Sequence, residues 1–175
     1  MEFTELISGA KSGVAWAISD LWTMYNPIVK RYLMVMNRDT ADDICQDTWI
    51  AVARNIHTFQ GGHNEFLRFI FTIARNRATD YARAGFRRDN LLRRLDLQPQ
   101  KQFDVDRIED GDGEVFRYLG TLSPIVGEMI YLRYVVGMSV GEVSDLVGRS
   151  PDSVKVAIHR GLCKLRDLYQ NVQVP

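Results

Sequence analysis

Cysteine is scarce in this chain of 175 residues: there are two, Cys45 and Cys163, far apart and not in metal-type spacing. They read as reduced thiols of a cytosolic protein, not as a disulfide framework or a zinc site. No apolar run reaches the roughly 18 residues that a membrane span requires. The N-terminus, MEFTELISGAKSG, carries acids early and lacks an apolar core segment, so no secretory signal is expected. β-Type alternation of useful length, internal repeats and low-complexity tracts are all missing, which leaves an all-α fold. Catalytic constellations are missing as well. His63–Asn64 in a glycine loop invites comparison with a nuclease, but no paired carboxylates or second histidine stand near it. No enzyme activity, metal or cofactor is therefore expected.

Net charge is also absent, because 22 Lys and Arg balance 22 Asp and Glu. The balance hides a pattern. Residues 1–60 hold five basic and seven acidic side chains, and residues 61–95 hold eight and three. Residues 96–114 hold two basic and seven acidic, and residues 115–175 seven and five. A basic segment thus adjoins an acidic one mid-chain. A localised basic stripe is the footprint of a polyanion binder, although a solvated helix face has the same composition. With 46% hydrophobic residues the chain has ample material for a core.

Residues 14–36 place Trp16, Ile18, Leu21, Trp22, Tyr25, Ile28, Val29, Tyr32, Leu33 and Met36 at steps of three and four. This predicts a helix broken or kinked at Pro27. Thr40 and Asp43 have the form of an N-cap with an acidic third position. The helix they open runs to about Ile56, with Ile44, Thr48, Val52 and Ile56 on one stripe. Thr58–Asn64 reads as a loop. From Glu65 a further helix buries Phe66, Phe69, Ile70, Ile73, Ala74 and Tyr81, and turns Arg68, Arg75, Asn76, Arg83, Arg87 and Arg88 outward. A glycine-rich loop before Arg and Asn side chains suits single-strand binding, where loop backbone and cations hold unstacked bases. Beyond Gly85 the periodicity weakens into a linker whose acidic stretch is Asp104–Glu114.

The last third carries the sharper signal. Ser123–Pro124 opens a helix that carries Met129, Ile130, Leu132 and Tyr134 and ends near Gly137. Ser139 with Glu142 forms a capping box before a short helix that Gly148 terminates. Ser150–Pro151 then starts a helix with Val154, Ile158, Gly161, Leu162, Leu165 and Leu168 at alternating four- and three-residue steps. A short capped helix, a glycine turn and a longer amphipathic helix form the signature of a helix-turn-helix; an αα-hairpin in a plain bundle shares it. Its second helix enters the major groove N-terminus first, so Asp152, Ser153, Lys155, Val156, His159 and Arg160 would face DNA. Lys155 and Arg160 suit guanine edges or phosphates, Val156 a thymine methyl, and the backbone at Ser150–Asp152 a phosphate.

Three segments carry a family resemblance: DDICQDTWIAVARNIHTFQ, FLRFIFTIARNRATDYARAGFRR and YLRYVVGMSVGEVSDLVGRSPDSVKVAIHRGLCKLRDL. In this order, over about residues 14–168, they resemble a bacterial sigma factor of the extracytoplasmic-function (ECF) group. The resemblance implies two small helical domains joined by a flexible linker: 1–88, binding core RNA polymerase and the −10 element; 89–113, the linker; and 114–175, binding the −35 element. Asp42, Asp43, Gln46, Asp47 and Trp49 would dock on the β′ clamp helices. Gln60, Gly61, His63 and Asn64 lie in the loop that would capture a flipped base of the −10 element. Arg75 and Asn76 would read and melt that element, with Arg83, Arg87 and Arg88 along the backbone. The helix from Ser150 to Arg160 would read the −35 element, led by Lys155, His159 and Arg160. The hydrophobic helix around Met129–Tyr134 would help bind the β flap, and an anti-sigma factor is an expected partner. The chain departs from the family at Ile125–Val126–Gly127, where a polar, Arg-containing stretch is usual. It departs again at Val156–Ala157, which shifts weight to backbone contacts and DNA shape. The residues also leave open a stand-alone regulator that binds duplex DNA without polymerase.

Overall fold

In a computed structural model that describes residues 2–94 and 118–172, every regular element is helical. The first is α1 (Phe3–Lys11), which the sequence reading does not anticipate; it buries Leu6, Ile7 and Ala10. Next, α2 (Ala15–Met36) buries Ala17, Leu21, Tyr25, Val29, Tyr32 and Leu33, steps of three and four that keep one face inward. The helix runs on through Pro27 where a break or kink is expected. Pro27 is exposed, so the carbonyl deprived of its partner lies on the solvent side, where water can satisfy it. Trp16 and Trp22, which share the helical periodicity, are about half exposed.

A 3-10 turn at Arg38–Thr40 leads into α3 (Ala41–Asn55). Thr40 stands at the N-cap position but makes no capping bond, and its hydroxyl is buried without a protein partner. The cap sits earlier, where the Asn37 side chain accepts from Asp39 N–H at 3.2 Å. Ile44, Thr48, Val52 and Ile56 are buried as the spacing predicts, Thr48 by turning its hydroxyl back to the Ile44 carbonyl at 2.7 Å. Another 3-10 turn, Ile56–Thr58, precedes α4 (His63–Arg94). This helix starts two residues before Glu65 and continues past residue 88, the expected end of the first domain. Residues 89–94 of the expected linker thus belong to α4, and its acidic stretch, with Asp104, Asp106, Asp110 and Asp112, lies outside the described residues.

The C-terminal part follows the sequence closely. Pro124 takes the first position of α5 (Pro124–Tyr134). Both arms of the capping box open α6 (Val140–Val147): Ser139 N–H donates to Glu142 at 2.7 Å, and Glu142 N–H donates to Ser139 Oγ at 3.2 Å. Gly148, at φ 69°, closes α6 in the left-handed conformation. Then α7 (Pro151–Val172) crosses α5 so tightly that a Cβ on Gly161 would lie 2.6 Å from Val126 Cγ1.

The two parts are docked against each other. Tyr32 of α2 and Tyr131 of α5 are fully buried, their ring centroids 6.1 Å apart. The Tyr131 hydroxyl donates to the Ile28 carbonyl at 2.9 Å, and Gly127 lets α5 approach Val35, which a Cβ there would meet at 2.9 Å. Each fully buried aromatic side chain of this kind contributes on the order of 2 kcal/mol.

Candidate nucleic-acid interface

The outward face of α7 is built by its own start. Ser150 Oγ accepts from Ser153 N–H at 3.3 Å and donates to Ser153 Oγ at 2.9 Å, which caps the helix just before Pro151. Val154 and Ile158 are buried, and that fixes the rotation of the helix. Ser150, Asp152, Ser153, Lys155, Val156, His159 and Arg160 are all exposed as a consequence. Lys155 Nζ lies 3.4 Å from Asp152 Oδ1, an exposed pair that holds the amine only weakly. Val156, about half exposed, is an apolar spot amid polar neighbours. The recognition face predicted from sequence is therefore one continuous surface on the first turns of the second helix.

Around the glycine loop the residues gather differently. Gly61, at φ 126°, adopts a conformation closed to most side chains. Gly62 N–H donates to the Glu65 carboxylate at 2.9 Å, which folds the loop onto the first turn of α4. Together with the Glu65 backbone amide, that bond holds the Glu65 carboxyl below its usual value, and Arg68 adds to the effect. Gln60, Gly61, His63 and Asn64 are exposed, but His63 and Asn64 belong to α4, not to the loop. The His63 ring packs on Phe3 and Tyr25, with centroids at 5.6 and 5.7 Å, so α1 and α2 buttress the loop from behind. Burial pushes the Tyr25 phenol up to about 12, and its hydroxyl has no protein partner. Only the packed structure brings these aromatics together, because Phe3 and Tyr25 lie far from the loop in sequence.

Along α4, Asn76, Arg83 and Arg87 are exposed, and Arg88 follows in the same helix. Arg75 departs from the track. Its Nε donates to Glu128 Oε1 at 2.8 Å and its Nη2 to the Val147 carbonyl at 3.4 Å, both in the C-terminal part. Glu128, which the sequence reading passes over, is buried and also accepts from the Tyr32 hydroxyl at 2.7 Å. Burial first, and then the Glu128 charge, hold the Tyr32 phenol well above its ordinary value.

The face expected to meet polymerase is partly acidic and partly apolar. Asp42, Asp43 and Gln46 are exposed, and Asp42 pairs with Lys30 at 2.7 Å. Asp47 is half-buried and accepts from the Tyr81 hydroxyl at 3.1 Å. Trp49 is buried, with its indole N–H fixed on Asn26 Oδ1 at 3.0 Å, so it forms the floor of this surface and not its contact face. Cys45 shares the same acceptor at 3.1 Å, and burial raises its thiol to about 11. Exposed Trp22 and Ile50 line a groove of about 490 Å³ beside the acids, an apolar element that the charge pattern gave no reason to expect. On α5, Met129, Ile130 and Leu132 are buried, which leaves Tyr134 as the one apolar side chain of the expected flap-binding group that is exposed. Among the described residues no helix is long and apolar enough to cross a membrane.

Residues 21–88 match the sigma-70 region 2 family and residues 113–165 the sigma-70 region 4 family. The chain is 31% identical over 170 residues to the RNA polymerase sigma factor CarQ of Myxococcus xanthus, covering 94% of this chain and 95% of CarQ. It is 27% identical over 176 residues to the ECF sigma factor BldN of Streptomyces coelicolor, covering 94% of this chain but 64% of BldN's length. The fold is similar to that of the sigma factor RpoE bound to the anti-sigma factor NepR from Bartonella quintana. That match has a TM-score of 0.64 and 18% identity over 87% of this chain and 96% of the other. CnrH in complex with the cytosolic domain of CnrY matches with a TM-score of 0.62 and 21% identity over 97% of both chains. The chain belongs to the sigma-70 family of RNA polymerase sigma factors, in the ECF group.

Proposed function

We propose that the chain directs core RNA polymerase to its promoters through four surfaces, acting in the cytoplasm and without catalysis of its own. Asp42, Asp43, Gln46 and Asp47, with the Trp22–Ile50 groove above Trp49, dock on the β′ clamp helices. Charge complementarity sets the register of that contact and apolar contact holds it. Tyr134 of α5 faces the β flap. Gln60, Gly61, His63 and Asn64 trap a base flipped from the −10 element, and base capture offsets an unstacking cost of a few kcal/mol. Asn76 reads the melted strand, Arg83, Arg87 and Arg88 follow its phosphates, and Arg75 joins them once released from Glu128. The α7 residues Ser150, Asp152, Ser153, Lys155, Val156, His159 and Arg160 bind the −35 duplex and supply its affinity. An anti-sigma factor is the regulatory partner; the family and the NepR-bound state of one structural relative support it.

The observation that carries this reading is the uninterrupted exposure of the α7 face behind a fully formed capping box, in a chain that matches both sigma regions. Run-off transcription with bacterial core polymerase on a library of promoter-like duplexes tests it. Specific transcripts should depend on the protein, be lost with Asn76→Ala, and weaken with Arg160→Ala. Tight duplex binding by the protein alone, with no stimulation of polymerase, would make it a stand-alone regulator instead.

A further inference from the structure

Six aromatic rings form one continuous cluster beneath the glycine loop. Phe59, the residue before Gln60–Gly62, packs on Phe66 and Phe69 with centroids at 5.6 and 5.4 Å. His63, the residue after it, packs on Phe3 and Tyr25. Phe66 joins the two ends, 5.8 Å from Phe3 and 5.0 Å from Tyr25. Both ends of the loop are therefore pinned to a single packed body. Tyr25, Phe59 and Phe66 are buried, and Phe3 and Phe69 are half-buried, whereas His63 is exposed. An exposed ring held from behind is a platform on which an unstacked base can lie, since every base has a π-face to offer. Phe3 meets the His63 ring at 81°, an edge-to-face arrangement that aromatic pairs favour. It is delivered by α1, which Leu6, Ile7 and Ala10 seat on the core. Gly9 lets that helix close on α2, where a Cβ would lie 3.0 Å from the Ala17 Cβ. All of α1 precedes residue 21, where the match to the sigma-70 region 2 family begins.

We propose that Phe3 is a positioning residue for strand opening: from α1 it fixes the His63 ring as the platform on which the flipped −10 base stacks. The inference rests on the base-capture reading above. It adds a stacking partner for the base and a helix outside the matched region that presets it. A ring already held in place loses no further freedom when the base arrives, so the stacking contact is realised in full. Without Phe3 the ring must be ordered by the base itself, and the loss falls on the captured base alone.

An abasic scan tests this. Purified holoenzyme is bound to the non-template strand of a promoter recovered by run-off transcription, as a fluorescent oligonucleotide from which each −10 base is removed in turn. Wild-type holoenzyme should lose about tenfold in affinity at the position of the captured base. Phe3→Ala should bind the intact strand about tenfold more weakly and lose nothing further when that base is removed. Phe3→Tyr, which keeps a ring against His63, should restore the full abasic penalty. His63→Ala removes the platform and leaves α1 untouched. It should behave as Phe3→Ala does, and it decides the matter if the α1 variant fails to assemble. A full abasic penalty retained in either alanine variant overturns the proposal, because an equal loss with and without the base is what a merely weakened fold gives. A wild type with no position-specific penalty would instead overturn the base-capture reading of the loop, so the two failures are distinct.

Discussion

Lys155 and Arg160 occupy the same exposed face of α7, yet their surroundings differ. Lys155 has a carboxylate within 3.4 Å at Asp152, and that exposed pair is worth less than about 1 kcal/mol, so the amine is free to turn to a phosphate. Arg160 stands five residues further along, where a planar donor fork can address a guanine edge bidentately. Lys155→Ala should therefore weaken holoenzyme–promoter binding by a similar factor on every −35 sequence and lower the slope of log K against log salt by about 1. Arg160→Ala should relax the choice of base at one position, at a cost of about 1–3 kcal/mol on the preferred sequence. Filter binding over a salt series on a −35 point-mutant set separates the two. A sequence-dependent effect of Lys155→Ala would reverse the assignment.

Each helix of the C-terminal part was readable wherever its signal was local. Ser139, Glu142 and Gly148 lie within ten residues and specify both ends of α6 by side-chain and backbone chemistry alone. The capping bond has a pH signature. The Ser139 backbone N–H and then its hydroxyl hold the Glu142 carboxyl below its usual value. A lowered folded-state value contributes stability that is present above the unfolded value, near 4.5, and is lost as pH falls through the folded one. Urea unfolding of the wild type should therefore lose stability below about pH 4.5, and Glu142→Gln should flatten that acid limb. Packing signals are less local. Gly161 looked like one apolar-face position among several, but its missing Cβ is what admits Val126 and Ile130, the latter at 2.8 Å from where a Cβ would sit. Gly161→Ala should cost about 1–3 kcal/mol by overpacking, despite the helix propensity gained, and lower the midpoint of thermal unfolding. The opening helix α1 escaped the sequence reading for the same reason: Leu6, Ile7 and Ala10 are too few for a periodicity and gain meaning only against the helices they cover. Trp49 sits among acids in the chain, and only the Asn26 acceptor 23 residues earlier shows that it points inward.

At the scale of the molecule, the two sigma regions share a core, and nothing local in the sequence announces it. Glu128 interrupts an apolar run, and its partners Arg75 and Tyr32 lie 53 and 96 residues away. Tyr32 binds the halves from both sides: its ring packs edge-on against Phe71 at 5.0 Å within the first region and lies 6.1 Å from Tyr131 of the second. Tyr131 returns the contact through its bond to the Ile28 carbonyl. Two modules joined by buried rings and charge-assisted hydrogen bonds lose those contacts together, so the wild-type chain should unfold in one calorimetric transition with equal calorimetric and van't Hoff enthalpies. Glu128→Gln with Tyr131→Phe removes the charge from the two cross-module bonds that Glu128 accepts, from Arg75 and Tyr32, and deletes the bond from Tyr131 to the Ile28 carbonyl. A neutral hydrogen bond is worth about 1 kcal/mol and a charged one up to about 3, enough to uncouple modules that each retain an apolar core. The double variant should then show two transitions, with slowly exchanging amides in α5 becoming faster while those in α3 keep their protection. A single transition in that variant would mean that packing of α2 against α5 alone couples the halves. Two transitions already in the wild type would mean that these cross-module contacts do not couple the halves.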